Sequence, residues 1–132
     1  MRLLNHCIEV MLGIENIIYK GKAFLYLDYR ALKTDQELVA FILEIQSLVL
    51  AKEEPFVQLT DLRGVALTKA FLETLRKAAR ETPKIARKRA VLGLDSLAKQ
   101  VLLKSYNATV KGEGPVRSFD NKEEALEWLV EE

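Results

Sequence analysis

The chain has 132 residues, of which 49% are hydrophobic and 30% charged, with 20 Lys+Arg against 19 Asp+Glu. That length holds one compact domain over residues 1–132, and a chain of this size buries roughly two-thirds of the surface its unfolded form exposes. One cysteine, Cys7, excludes an internally disulfide-stapled scaffold, and a net charge of +1 excludes a globally basic nucleic-acid wrapper or an acidic tail protein. The near-zero total hides a division along the chain. Residues 1–62 carry 6 basic and 9 acidic groups, residues 63–104 carry 11 and 3, and residues 105–132 carry 3 and 7.

In chain order, residues 1–9 begin like a signal peptide, but Asn5, His6 and Glu9 interrupt the apolar run before it reaches an export-signal core. The longest apolar runs, residues 38–43 and 45–51, fall far short of the roughly 20 residues a membrane span needs, so a cytoplasmic protein is expected. Residues 14–19 and 23–29 are β-branched and aromatic runs joined by a short glycine turn, which predicts a β-hairpin. Both faces of the second run are apolar, as in a strand inside a sheet. Thr34-Asp35-Gln36-Glu37 has the spacing of a capping box, and Leu38, Phe41, Ile42, Ile45, Leu48 and Val49 follow on one helical face.

Residues 56–61 read as a short buried strand closed by a turn at Arg63-Gly64. A helix resumes near Thr68, with Phe71, Leu72, Leu75, Ala78 and Ala79 at helical spacing and Pro83 ending it. Residues 90–94 form a compact apolar run behind three cations, as in a buried parallel strand with a solvated lead-in. Asp95-Ser96 offers an N-cap for a helix over residues 97–106, and residues 107–115 form a Gly/Pro loop. A strand over 116–119 and a capping-box-like start at residues 120–123 lead into the last helix, with Trp128 at the edge of its apolar face.

The order β-β-α-β-α-β-α-β-α predicts an α/β fold with a mostly parallel β-sheet and an N-terminal antiparallel hairpin. In such sheets ligands approach the carboxyl ends of strands, where two loops are richest in chemistry: residues 60–69 and 93–96. They single out Thr60, Asp61, Arg63, Gly64, Thr68, Lys69, Gly93, Asp95 and Ser96 as candidate ligand- or partner-binding residues. An Asp, an Arg, a flexible turn and a helix N-terminus together can bind an anion. The same groups can equally serve as loop and cap hydrogen bonds.

Other chemistry is thinly supplied. His6 and Cys7 are adjacent and would point to opposite faces of a strand, so they do not form a nucleophile–base pair, and no metal, cofactor or catalytic residue is assigned. Gly112-Glu113-Gly114 lacks the rest of a dinucleotide fingerprint or a P-loop, and the carboxylate pairs sit at helix ends. Arg76, Lys77, Arg80, Lys84, Arg87, Lys88 and Arg89 face only Glu81, but no aromatic interleaves. A solvated helix end is the simplest reading, an acidic docking partner or lipid headgroup the next, and nucleic acid the least supported.

Residues 56–65, Phe56-Val57-Gln58-Leu59-Thr60-Asp61-Leu62-Arg63-Gly64-Val65, resemble the strand and turn of STAS domains, the anti-sigma-factor antagonist superfamily. Arg89-Ala90-Val91-Leu92-Gly93-Leu94, Val116-Arg117-Ser118-Phe119 and Glu124-Ala125-Leu126-Glu127-Trp128-Leu129 resemble its SpoIIAA-like branch, which is also similar to CRAL-TRIO lipid-binding domains. The resemblance spans about residues 14 to 130. It implies a curved sheet built as a βα superhelix and a regulatory, non-enzymatic role. Antagonist STAS domains carry an Asp and a phosphorylatable Ser after this strand, where Lys69 and Ala70 stand here, so a phosphoserine switch at that site is excluded. Nothing marks the neighbouring Thr68 as a kinase target. The expected function is therefore a non-enzymatic STAS-type regulatory or protein-binding module. The alternative is a carrier or sensor of a small amphipathic or lipid-like ligand held between sheet and helices. A homodimer formed through an edge strand or an apolar helix is a further expectation.

Overall fold

The computed structural model describes residues 13–51, 56–81, 86–109 and 116–131. His6, Cys7, Pro83, Lys84 and the Gly112–Pro115 glycine loop lie outside the described residues. Strands β1 (Ile14–Tyr19) and β2 (Lys22–Asp28) form the hairpin, and helix α1 (Asp35–Leu50) follows. Then come β3 (Phe56–Asp61), α2 (Lys69–Glu81), β4 (Ala86–Leu92), α3 (Leu97–Thr109), β5 (Arg117–Phe119) and α4 (Lys122–Val130). The five strands make one sheet in the order β1-β2-β3-β4-β5. The β1–β2 pair is antiparallel and every later pair is parallel. The α/β alternation and the mostly parallel sheet are those expected from the order of the elements.

Local chemistry explains the element starts. The hairpin turns through Lys20 and Gly21, both at positive φ (51° and 81°), as a two-residue turn matched to strand twist requires. Both halves of the capping box form at α1: the Thr34 hydroxyl accepts from the Glu37 amide, and Glu37 accepts from the Thr34 amide. At α4 the N-cap is Asn121, which accepts from the Glu124 amide, one residue beyond the start that the sequence suggested.

The sheet has an apolar layer on each face. On one, Leu25, Leu27 and Val91 pack with Leu38, Phe41, Ile42 and Val49 of α1 and Phe71 of α2, and Leu103 of α3 leans on the same cluster. Tyr29 sits edge-on to Phe41, with ring centroids 4.8 Å apart at 82°. On the other, Phe24, Tyr26, Val57, Leu59, Ala90 and Leu92 pack under Ala125, Leu126 and Leu129 of α4, with Trp128 at the margin. The last helix thus covers the opposite face of the sheet from the first three, and the inner strands are apolar on both sides because both sides are covered.

The cation run departs from its expected form. Arg87, Lys88 and Arg89 are part of β4, which begins four residues before the apolar run and ends before Gly93; Arg87 is exposed and Lys88 and Arg89 are half-buried. Arg76, Lys77 and Arg80 belong to α2, so the run is divided between two elements. Lys88 donates to the Trp128 and Glu131 carbonyls at 2.6 and 2.9 Å and lies 4.9 Å from the Trp128 ring centroid. It serves as a cationic cap for the carboxyl end of α4.

Candidate functional site

The carboxyl ends of β2 and β3 bring two carboxylates side by side. In the parallel register Asp28 lies opposite Asp61, as Tyr26 lies opposite Leu59, so both aspartates follow Tyr26 and Leu59 onto the face that α4 covers. Two like charges at adjacent positions repel, and each is met by an arginine two residues on in sequence. Arg30 donates from Nε to Asp28 Oδ1 at 2.9 Å and from Nη2 to Oδ2 at 3.0 Å, while its amide donates to Oδ1 at 3.0 Å. Arg63 repeats this on Asp61 at 2.9, 2.6 and 3.2 Å. Each Asp-x-Arg unit is a fork-to-fork ion pair closed over an Asx turn.

The unit extends to the middle residue. The Tyr29 amide donates to the Asp61 carbonyl at 3.1 Å, and the Leu62 amide donates to the Leu92 carbonyl at 2.9 Å. Tyr29 and Leu62 both turn into the core beneath α1 and α2. The chain therefore leaves each strand in the same way, with aspartate to one face, an apolar residue to the other, and arginine back at the rim.

Asp61 is the hub. It is fully buried, and its Oδ2 accepts from the Tyr26 hydroxyl and from Arg63 Nη2, each at 2.6 Å, with Arg30 Nε 3.5 Å away. Burial pushes its carboxyl upward, but the bonds from Arg63 and Tyr26 together outweigh burial and hold it below its ordinary value. The bond from Arg30 similarly holds Asp28 low. Burial first, then the bond to Asp61, pushes the Tyr26 phenol well above its usual range. Lys122 Nζ lies 4.7 Å from the Tyr26 ring centroid, adding a cation at the same face. At neutral pH the two aspartates and two arginines are two carboxylates and two guanidiniums around a neutral phenol.

The candidate residues read from the sequence are divided by the sheet. Asp61 and Arg63 form the hub with three residues that the sequence reading did not select: Tyr26, Asp28 and Arg30. Thr60 is half-buried and faces the opposite side. Gly64 (φ 77°) makes the exposed turn after Arg63. Thr68 caps α2, accepting from the Phe71 amide at 3.1 Å and donating to Asp35 at 2.7 Å, which ties α2 to the start of α1. Lys69 is exposed at the first position of α2. Gly93, at φ 100°, lies so close to the preceding crossover that a β-carbon there would stand 2.5 Å from the Arg63 amide nitrogen. Ser96 caps α3 through the Lys99 amide, while Asp95 is exposed and 3.4 Å from Lys99 Nζ. The missed residues carried a readable signal: Asp28-Tyr29-Arg30 repeats Asp61-Leu62-Arg63 at the end of the preceding strand. Among the described residues no cluster of three or more His, Cys, Asp or Glu could hold a metal ion, and no helix is long and apolar enough to cross a membrane. No protein-family model, curated protein or solved structure matches the chain.

Proposed function

We propose that this chain is a non-enzymatic binding module of STAS type that works by docking a protein partner, without a phosphoserine switch of its own. The observation that carries this reading is the commitment of the polar groups at the strand ends. Asp61 accepts four bonds from Tyr26 and Arg63, the Thr68 and Ser96 hydroxyls are taken up in helix caps, and the Asp61 carboxyl is held in its charged form. A general base working near neutrality needs a raised carboxyl with an open lone pair, and Asp61 offers neither. The carrier reading needs room between sheet and helices, where Tyr29, Phe41 and Phe71 are in ring contact.

The test places a photo-crosslinking residue in turn at Ile18, Leu43 and Leu97, which are 73%, 55% and 80% exposed on β1, α1 and α3. Irradiation in the cells that make the protein is expected to give one discrete protein adduct from one of these positions. An adduct to a second copy of the chain would make the partner a homodimer mate. No adduct from any position, together with a hydrophobic small molecule retained in native mass spectrometry, would replace the reading with the carrier.

A further inference from the structure

We infer that the paired forks at the ends of β2 and β3 form an oxyanion site that holds a phosphoryl group between Arg30 and Arg63. This goes beyond the docking role and needs no protein partner. A guanidinium has five N–H donors, and each of these gives two to its own aspartate, at Nε and Nη2. The remaining donors lie on side chains that are 48% and 43% exposed. Both guanidiniums converge on Asp61 Oδ2, with Arg30 Nε at 3.5 Å and Arg63 Nη2 at 2.6 Å, so those nitrogens lie no more than about 6 Å apart.

Rigid placement separates this pair from two ordinary surface arginines. Each fork is fixed at both ends, by a bidentate ion pair and by its own amide on the same carboxylate, so little side-chain freedom is left to lose on binding. Asp61 in turn is pinned from below by Tyr26. The charge is also in surplus: Asp28 and Asp61 balance Arg30 and Arg63, and Lys122 on the Tyr26 ring leaves the group one positive charge over. Oxygen count sets the ligand class. A phosphoryl group presents three oxygens and up to two negative charges against the two oxygens and one charge of a carboxylate, so it can meet the outer donors of both guanidiniums at once.

The test is titration of the whole chain followed by the side-chain Nε–H resonances of Arg30 and Arg63, at constant ionic strength, with inorganic phosphate, phosphoserine and acetate as probes. Both resonances are expected to move together and saturably with phosphate and phosphoserine, and to stay still with acetate. Tighter binding of phosphoserine would identify the ligand as a phosphate ester, and equal binding would identify it as the free ion. Arg30→Gln is expected to weaken binding about tenfold or more through the loss of charged donors. The variant leaves the Asp61–Arg63–Tyr26 hub in place. Lys122→Gln is expected to weaken binding less, and only at low salt. Resonances that do not move beyond a chloride control, equal movement with acetate, movement of one arginine alone, or undiminished binding by folded Arg30→Gln would overturn the site. Should Arg30→Gln not fold, the probe comparison on the parent chain decides alone.

Discussion

Asp61→Asn is the sharpest test of the hub, because it keeps the shape and removes only the charge and one acceptor. With the amide oxygen at the Oδ1 position, the bonds from the Arg63 amide and Nε survive. The amide NH2 then stands at Oδ2, 2.6 Å from both the Tyr26 hydroxyl and Arg63 Nη2. The phenol can turn and accept, but Nη2 meets a donor. One charge-assisted bond, worth about 1.5–3 kcal/mol, is lost along with the attraction behind it. Breaking a fully buried ion pair costs about 3–5 kcal/mol. The Arg63 side chain is 43% exposed and can turn to water, so about 2–3 kcal/mol is expected here. For a chain this long, an unfolding entropy of about 2.1 cal/mol/K per residue converts that loss into a fall in Tm of about 7–11 °C. Urea unfolding followed by far-UV circular dichroism reads the loss directly, with the denaturant slope unchanged. Tyr26→Phe leaves the Arg63 bonds in place and should cost about 1 kcal/mol. In the Asn background it should cost less, since the two residues share one oxygen. A loss from Asp61→Asn smaller than about 0.5 kcal/mol, or smaller than that from Tyr26→Phe, would refute the hub as a stabilising centre.

Three further outcomes follow from the same geometry. Because Asp28 and Asp61 are held below their ordinary values when folded, their stabilisation is complete at neutral pH and is lost as pH falls from about 5 through those lowered values. The urea midpoint should drop over that window, and less steeply in Asp61→Asn, whereas a parent midpoint that rises on acidification would contradict the assignment. Gly93→Ala should cost about 3 kcal/mol or more, because the new β-carbon meets backbone at 2.5 Å and φ 100°, while Gly64→Ala, at φ 77° in open space, should cost only about 1–2 kcal/mol; equal losses in thermal melts would remove the close approach as the cause. Lys88→Met should cost about 1 kcal/mol and speed amide exchange in the last turn of α4, and unchanged exchange there would refute its capping role.

Elements whose signal lies within a few residues were legible before the structure. The capping box at Thr34, the apolar spacing of Leu38 through Val49 and the run Phe56–Asp61 each record a local preference that the fold obeys. What escaped depends on neighbours far away in sequence. Three cations at Arg87–Arg89 oppose a strand on local grounds, but parallel pairing with β3 takes in Lys88 and Arg89, with Arg87 at an irregularity of the ladder, and the carbonyls that explain Lys88 lie 40 and 43 residues on. Asp61 and Arg63 stood out because a turn follows them. Asp28 read only as one member of an alternating strand, since its significance comes from the register that sets it beside Asp61. Nor does the pattern of α4 say which face of the sheet it covers; that follows from the apolar side chains of Phe24, Val57, Leu59 and Ala90 needing a cover.

The row of residues that ends the strands shows why the polar centre sits where it does. Across the sheet the register runs Asp28, Asp61, Leu92, Phe119. The first two strands leave the sheet through Asp-x-Arg, in which the aspartate both turns the chain and anchors the fork. The third leaves through Leu92-Gly93-Leu94, where no carboxylate is available to bend the backbone and glycine at φ 100° does so instead, in close approach to Arg63. Leu92 faces α4 and Leu94 faces the other core, so the change of face takes two residues here, through Gly93, where Tyr29 and Leu62 make it directly after Asp28 and Asp61. The chain thus leaves the sheet by a charged turn on the β2–β3 side and by a glycine turn on the β4 side. α4 lays Ala125, Leu126 and Leu129 over the apolar cluster of that face, and its first residue, Lys122, lies against Tyr26. Of the four residues in that row only Asp28 and Asp61 are charged, and the two guanidiniums they hold are on side chains 48% and 43% exposed.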